Sequence, residues 1–211
     1  MDAKQDSDSL AETTESALLE RAKAGDTAAV GKLFDRHRDR LKRLVQLRLD
    51  SRLARRLDPS DVLQDVYVDL HTRIVEYETS DLPFFLWLRL KVGHRLVDLH
   101  RYHLGAQKRD AGREISLHRG PIPLASTASL ASQLMGRLTS ASNAVVRAEN
   151  RLRVQDALNS MDTIDREVLV LRHFEDLTNS EVATVLAISQ KAASNRYVRA
   201  LRRLRAALTP Q

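Results

Sequence analysis

The sequence predicts an all-α fold in two small helical domains, on three observations. Aromatic residues make up 4% of the chain and few segments alternate apolar with polar side chains, so strands find little support. Apolar residues recur at helical spacing, and each interruption of that rhythm carries a helix-start signal. Near the C-terminus, a short helix from Thr178, a brief break and a long basic helix from Gln190 have the layout of a helix-turn-helix.

The elements follow in order. A polar, acidic N-terminal stretch, residues 1–14, is expected to be a disordered tail. A helical block then runs from about Glu15 to His103, broken at Gly25-Asp26, at Asp58-Pro59 and from Ser80 to Pro83. Asp26 can cap the helix that carries Leu33, Phe34 and Leu41, and Asp58 can cap the next, with Pro59 at its first position. That second helix sets Val62, Leu63, Val66, Tyr67, Leu70 and Ile74 on a buried face and leaves Asp61, Gln64, Asp65 and Asp69 outside. An acidic face on a chain of net charge +6 suits a protein partner better than a phosphate backbone.

The next helix opens with Phe84, Phe85, Leu86, Trp87 and Leu88 and continues through Arg89, Lys91, His94, Arg95, Asp98, His100 and Arg101. Aromatic rings beside cations can stack on unpaired bases while the charges hold the backbone, the chemistry of single-strand capture. Trp87 and the two phenylalanines also read as ordinary core, and one of the three facing a base is enough. This first domain is expected over residues 15–111.

Between Gly112 and Ala141 the chain turns to Ser, Ala, Gly and Pro and loses strong periodicity, so residues 112–142 read as a flexible linker. The second domain, residues 143–211, is expected to hold a helix through Leu152 and Leu158, another from about Asp165 to Phe174, and the helix-turn-helix. Thr178 and Glu181 form a capping box, Val182, Leu186 and Ile188 supply the buried side, and small Ala183 and Ala193 let the two helices touch. Ala187 stands at the turn where glycine is usual. In the last helix Tyr197, Leu201, Leu204 and Leu208 make an apolar stripe. Lys191, Asn195, Arg199 and Arg203 make a cationic one, flanked by Ser194, Arg196 and Arg202. Such a face suits duplex DNA, with Lys191, Ser194 and Asn195 nearest the base edges.

Other classes find less support. The chain has no cysteine, hence no disulfide and no thiolate metal site. No segment has the length and apolarity of a signal peptide or membrane span, which predicts a cytoplasmic protein, and no long C-terminal extension suggests an appended regulatory domain. His94, Asp98, His100 and His103 raise the thought of a metal-dependent nuclease. However, His94 and Asp98 share a helical face from which His100 points away. No nucleophile with a base at hand and no phosphate-binding glycine loop is present, so neither enzymatic activity nor a cofactor is expected. The competing reading is a stand-alone helix-turn-helix repressor or activator, which leaves the acidic helix and its aromatic, basic neighbour without work.

Four stretches carry a resemblance. They are Leu18-Leu19-Glu20-Arg21-Ala22-Lys23-Ala24-Gly25-Asp26, Asp61-Val62-Leu63-Gln64-Asp65-Val66-Tyr67, Phe85-Leu86-Trp87-Leu88 with Asp98, and Asp165-Arg166-Glu167-Val168-Leu169-Val170-Leu171-Arg172-His173-Phe174. With the helix-turn-helix, they make the chain resemble bacterial sigma factors of the extracytoplasmic-function (ECF) group, within the sigma-70 family, over roughly Leu18 to Leu208. The resemblance implies a sigma-2-like helical bundle and a sigma-4-like helix-turn-helix domain. It implies that Asp61, Gln64 and Asp65 bind the clamp of the large subunit of core RNA polymerase, with the polymerase flap and promoter DNA as further partners, and that an anti-sigma factor controls the protein. Tyr77 to Pro83 with Trp87 would hold a flipped base of the minus-ten element while Arg89, His94, Arg95 and Arg101 approach the strand. Lys191, Ser194, Asn195, Arg196, Arg199 and Arg203 would read the minus-thirty-five duplex. His94 stands where many relatives carry asparagine, so the promoter sequence does not transfer.

Overall fold

A computed structural model describes residues 15–104, 114–117, 120–138 and 144–209. The N-terminal tail expected at 1–14 and the domain boundaries expected at 111/112 and 142/143 lie outside the described residues. The first unit comprises α1 (15–23), α2 (Thr27–Arg48), α3 (Pro59–Arg73), a 3-10 turn over Ile74–Thr79, and α4 (Phe84–Leu104).

Each break works as a start signal. Gly25 adopts a positive φ of 90°, which glycine takes at little steric cost, and turns the chain out of α1. Asp26 then accepts from the amides of Ala28 and Ala29 at 2.9 and 3.1 Å to start α2. Asp58 and Asp61 form a reciprocal capping box at the head of α3, with Pro59 supplying the fixed φ of the first turn. Helices α2, α3 and α4 pack on one another through Leu33, Leu41, Leu63, Val66, Leu88 and Leu96. Burying each such side chain stabilises the unit by about 1.5–3 kcal/mol.

The second unit comprises α5 (Thr127–Leu138), α6 (Ala144–Asn159), α7 (Thr163–His173), α8 (Asn179–Leu186) and α9 (Gln190–Leu208). Thr178 and Glu181 close the expected capping box at α8. Ala187 takes the left-handed conformation that the turn demands, φ 51° and ψ 44°, and Ser189 caps α9. Ala193 is fully buried at the crossing of α8 and α9, where a larger side chain would separate them.

The stretch read as a flexible linker is folded over its described part. Residues Glu114–Leu117 (β1) and Gly120–Pro123 (β2) pair antiparallel with Ile115 opposite Ile122, and β2 lies against α4. Helix α5 follows, burying Leu130, Ala131, Leu134 and Met135. The serines and alanines hide the i, i+4 repeat of Leu130 and Leu134 on α5. In β2 the prolines hold their own φ and push the preceding residues toward extended backbone, which reads as a turn signal in sequence. Two further expectations are corrected. Leu201 and Leu152, expected in apolar stripes, are 40% and 58% exposed. On α9 the inner positions are held instead by Ala193, Ala200 and Leu204, so the small side chains and not Leu201 meet the neighbouring helices.

The two units are not tethered at a distance. One apolar cluster runs from α2, α3 and α4 through Ile122 into Val168, Leu171, Leu177 and Val182. A second joins Leu47 of α2 to α5, α6, α7 and α9.

Candidate polymerase and nucleic-acid interfaces

The acidic face stands open on α3. Asp61, Gln64, Asp65 and Asp69 are exposed, and Val68 among them is 65% exposed, the kind of apolar anchor that protein interfaces use. Asp61 also accepts from the Asp58 amide at 3.2 Å, so one carboxylate both caps the helix and faces outward. Asp65 pairs with Arg95 of α4 at 2.6 Å, with both side chains about half exposed. A pair this wet contributes little to stability, so it yields to a stronger partner at small cost.

Between α3 and α4 lies an open groove of about 710 Å³, lined by Asp65, Trp87, Lys91, His94, Arg95 and Arg101 among others. It brings together most of the residues expected to meet the minus-ten strand. His94 and Arg101 are exposed on its wall. Trp87 is 5% exposed, with Tyr77 half-buried beside it at 5.5 Å between ring centroids, and Phe84 packs on both. The Lys91 ammonium sits 4.9 Å from the Trp87 centroid and pairs with Glu76, whose carboxyl it holds below the usual range. Burial pushes the Tyr77 hydroxyl up, so it stays protonated and can donate a hydrogen bond. Aromatic rings at the base of a cationic groove match the geometry of a stacking platform.

Arg89 is not in this groove. It is 2% exposed and points the other way, donating from Nε to Glu175 of the second unit at 2.6 Å. The expectation that Arg89 approaches DNA is therefore corrected for this conformation, because its charge is already spent on a buried carboxylate. His100, considered with His94 for a metal, instead receives the Asp50 amide at 3.2 Å.

On α9 the charged residues divide into two stripes. Arg196 and Arg199 turn toward α7 and converge on Asp165, at 2.7 Å for Arg196 and 2.5 and 2.6 Å for Arg199. Burial works to raise the Asp165 carboxyl, but the two arginines outweigh it and hold it below its usual range. Arg203 donates to the Ser160 carbonyl at 2.9 Å. These three arginines, expected to face the duplex, instead fasten α9 to the body of the domain, although Arg199 keeps about half of its side chain in solvent. Lys191, Ser194 and Asn195 are exposed as expected, and Val198 and Arg202 continue their stripe at i+7 and i+11 from Lys191. Sequence reasoning missed Val198 and left Arg202 at the edge. Counting from Lys191 at three- and four-residue steps finds both.

Comparison with known proteins adds to this geometry. Residues 157–206 match the family model described as sigma-70, region 4. The chain is 26% identical over 197 residues to RNA polymerase sigma factor NccH of Alcaligenes xylosoxydans xylosoxydans, covering 93% of this chain and 95% of that protein. It is 28% identical over 208 residues to RNA polymerase sigma factor CnrH of Cupriavidus metallidurans, with the same coverages. It is 24% identical over 189 residues to ECF RNA polymerase sigma factor SigD of Mycobacterium tuberculosis, covering 90% of this chain and 81% of that one. Among solved structures, CnrH in complex with the cytosolic domain of CnrY matches 92% of this chain and 97% of that one, at a TM-score of 0.54 and 26% identity.

Proposed function

We propose that this chain, which belongs to the ECF group of sigma-70 family RNA polymerase sigma factors, binds core polymerase through α3 and directs initiation by reading two promoter elements. The observation that carries this reading is the separation of charge. An exposed carboxylate face on α3 adjoins a cationic, aromatic-floored groove, while a second cationic stripe lies on the last helix of a helix-turn-helix. A repressor needs only the last of these.

In this reading Asp61, Gln64 and Asp65 meet basic and polar groups of the polymerase clamp, with Val68 packed among them. Engagement of Asp65 frees Arg95 to turn to the strand in the groove. The minus-ten bases are captured and not forced apart. A base unstacks at a cost of a few kcal/mol, and a groove with Tyr77 and Trp87 at its floor and Lys91, His94, Arg95 and Arg101 on its walls favours that state. Lys191, Ser194, Asn195, Val198 and Arg202 lie along the minus-thirty-five major groove, and Arg196, Arg199 and Arg203 set the pitch of the helix as it enters. The chain supplies binding and positioning, and the polymerase supplies the chemistry. Among the described residues no helix is long and apolar enough to cross a membrane, in keeping with action where polymerase works. The likeness to CnrH, solved with the cytosolic domain of CnrY, supports control of this chain by a protein inhibitor as well.

Run-off transcription with purified core polymerase tests the reading, comparing the native chain with an Asp61→Arg, Asp65→Arg double variant. Start sites that appear with the native protein and vanish with the variant support it. Duplex binding without polymerase association supports a stand-alone helix-turn-helix regulator instead.

A further inference from the structure

The two units meet around a buried cluster of charge that neither the acidic face nor the DNA surfaces use. Arg48, the last residue of α2, has no exposed side-chain surface. It donates to Glu175 Oε1 from Nε at 2.9 Å and from Nη2 at 2.6 Å, to Glu167 from Nη2, and to the Pro123 carbonyl of β2 from Nη1 at 2.9 Å. Arg89 of α4 takes the other Glu175 oxygen at 2.6 Å and lies 3.9 Å from Glu167. The same turn between α7 and α8 is gripped at its rim. Arg40 donates to the Asp176 carbonyl at 3.0 Å, and Arg43 to the Phe174 carbonyl at 3.3 Å and the Asp176 carboxylate at 2.5 Å. One guanidinium, Arg48, thus ties α2, β2, α7 and the α7–α8 turn together. Next to it Ile122 fits against Gly93 of α4 so closely that a Cβ at position 93 would lie 2.5 Å from it.

We propose that this cluster is an interdomain latch, which holds the chain in a closed form and must part before both promoter elements can be engaged. The consequence for initiation rests on the function proposed above, whereas closure itself does not. A compact chain of this length has a radius of gyration of roughly 17 Å. Elements two and a half helical turns apart along duplex DNA are separated by roughly 85 Å. The closed form cannot bridge them, and it keeps Arg89 from any strand in the α3–α4 groove.

Charge suits a latch. Two arginines and two glutamates balance, and their directional hydrogen bonds admit a single geometry of closure. On opening, water resolvates all four, so a buried ion cluster adds less net stability than an apolar contact of the same size and leaves the interface separable. Burial works to raise the Glu175 carboxyl, but Arg48 and Arg89 outweigh it and hold it down to about 2, so the latch is fully charged at neutral pH.

The chain carries no cysteine, so spin labels can be placed at Val68→Cys on α3 and Leu152→Cys on α6, both exposed and away from the cluster. Electron-electron distance measurement should give one narrow distribution for the latched protein and a longer one when core polymerase is bound. Glu175→Gln, with helical content checked by circular dichroism, should raise the open-to-closed ratio roughly tenfold or more, since it strands two buried arginines. Should that variant lose helix, Arg89→Met removes one arm and leaves the Arg48 contacts in place. A broad distribution in the latched protein, an unchanged one in either folded variant, or no lengthening in the polymerase complex overturns the proposal. Failure to bind polymerase, with the other arms as expected, counts against the function proposed above and not against closure.

Discussion

Replacing Gly93 by alanine tests whether β2 is seated on α4 as the structure has it. A methyl group there would lie 2.5 Å from Ile122 Cδ1 and 2.6 Å from Cγ1, well inside van der Waals contact, and Ile122 is fully buried. Two effects oppose. Alanine in a helix interior is favoured over glycine by about 0.8–1.0 kcal/mol. Overpacking a filled site costs about 1–3 kcal/mol. The packing term wins, so Gly93→Ala should destabilise by about 0–2 kcal/mol in the native background. Ile122→Ala alone should cost about 2–5 kcal/mol. With Ile122 truncated the clash disappears, and Gly93→Ala should stabilise by about 1 kcal/mol. The sign of one substitution therefore reverses with a residue 29 positions away in the chain, and the double-mutant cycle should report a coupling of about 1–3 kcal/mol. Urea denaturation of the four proteins, followed by far-ultraviolet circular dichroism, reads all the terms. If Gly93→Ala raises the midpoint of the native chain and the cycle is additive within about 0.5 kcal/mol, β2 does not rest on α4.

Three further outcomes are expected. Ala187→Gly should stabilise the second unit by about 0.5–1 kcal/mol, because a left-handed φ of 51° strains alanine by more than glycine loses in the unfolded chain, and the gain is readable as a raised thermal midpoint. Asp165→Asn should weaken duplex binding by the helix-turn-helix while leaving the outer stripe of α9 chemically intact, since Arg196 and Arg199 lose their shared anchor. A gel-shift titration that shows unchanged affinity refutes this anchoring role. Acid should loosen the closed form. The Glu175 carboxyl is held down to about 2, below its ordinary 4.5, by Arg48 and Arg89 against the cost of burial, with Glu167 sharing Arg48. A lowered carboxyl contributes stability that is complete above the ordinary value and is lost as pH falls toward the folded one. The interdomain distance should therefore hold at pH 5 and broaden between about pH 4.5 and 2.

Local signals in the chain identify the helices wherever the signal and the structure use the same few residues. Asp26, Asp58 and Thr178 mark helix starts because a cap bonds to amides two or three positions on, a relation contained in the sequence itself. The α3 pattern separates Val62, Leu63 and Val66 from Asp61, Gln64 and Asp65 for the same reason, as helical period alone decides which side chains share a face. Ala187 is legible as the turn even without glycine, since the capping box before it and the basic helix after it bracket one position. Where local pattern misleads, the deciding contact lies far away in the chain. Nothing near Arg89 distinguishes it from Arg95 as a cation of α4, yet Glu175, 86 positions later, takes it out of the groove. Arg199 and Lys191 look equivalent on a helical wheel until Asp165, 34 positions before Arg199, claims that arginine.

By itself the sequence determined the helical elements, their caps, the acidic face of α3 and the helix-turn-helix, because each depends on neighbours within one or two turns of chain. Only the tertiary structure decided which arginines face outward, that the serine-rich stretch folds into β2 and α5, and that the two units close around Arg48. Those outcomes depend on which carboxylate or apolar notch comes within a few ångströms in space, and a buried charge takes whatever partner the fold brings to it.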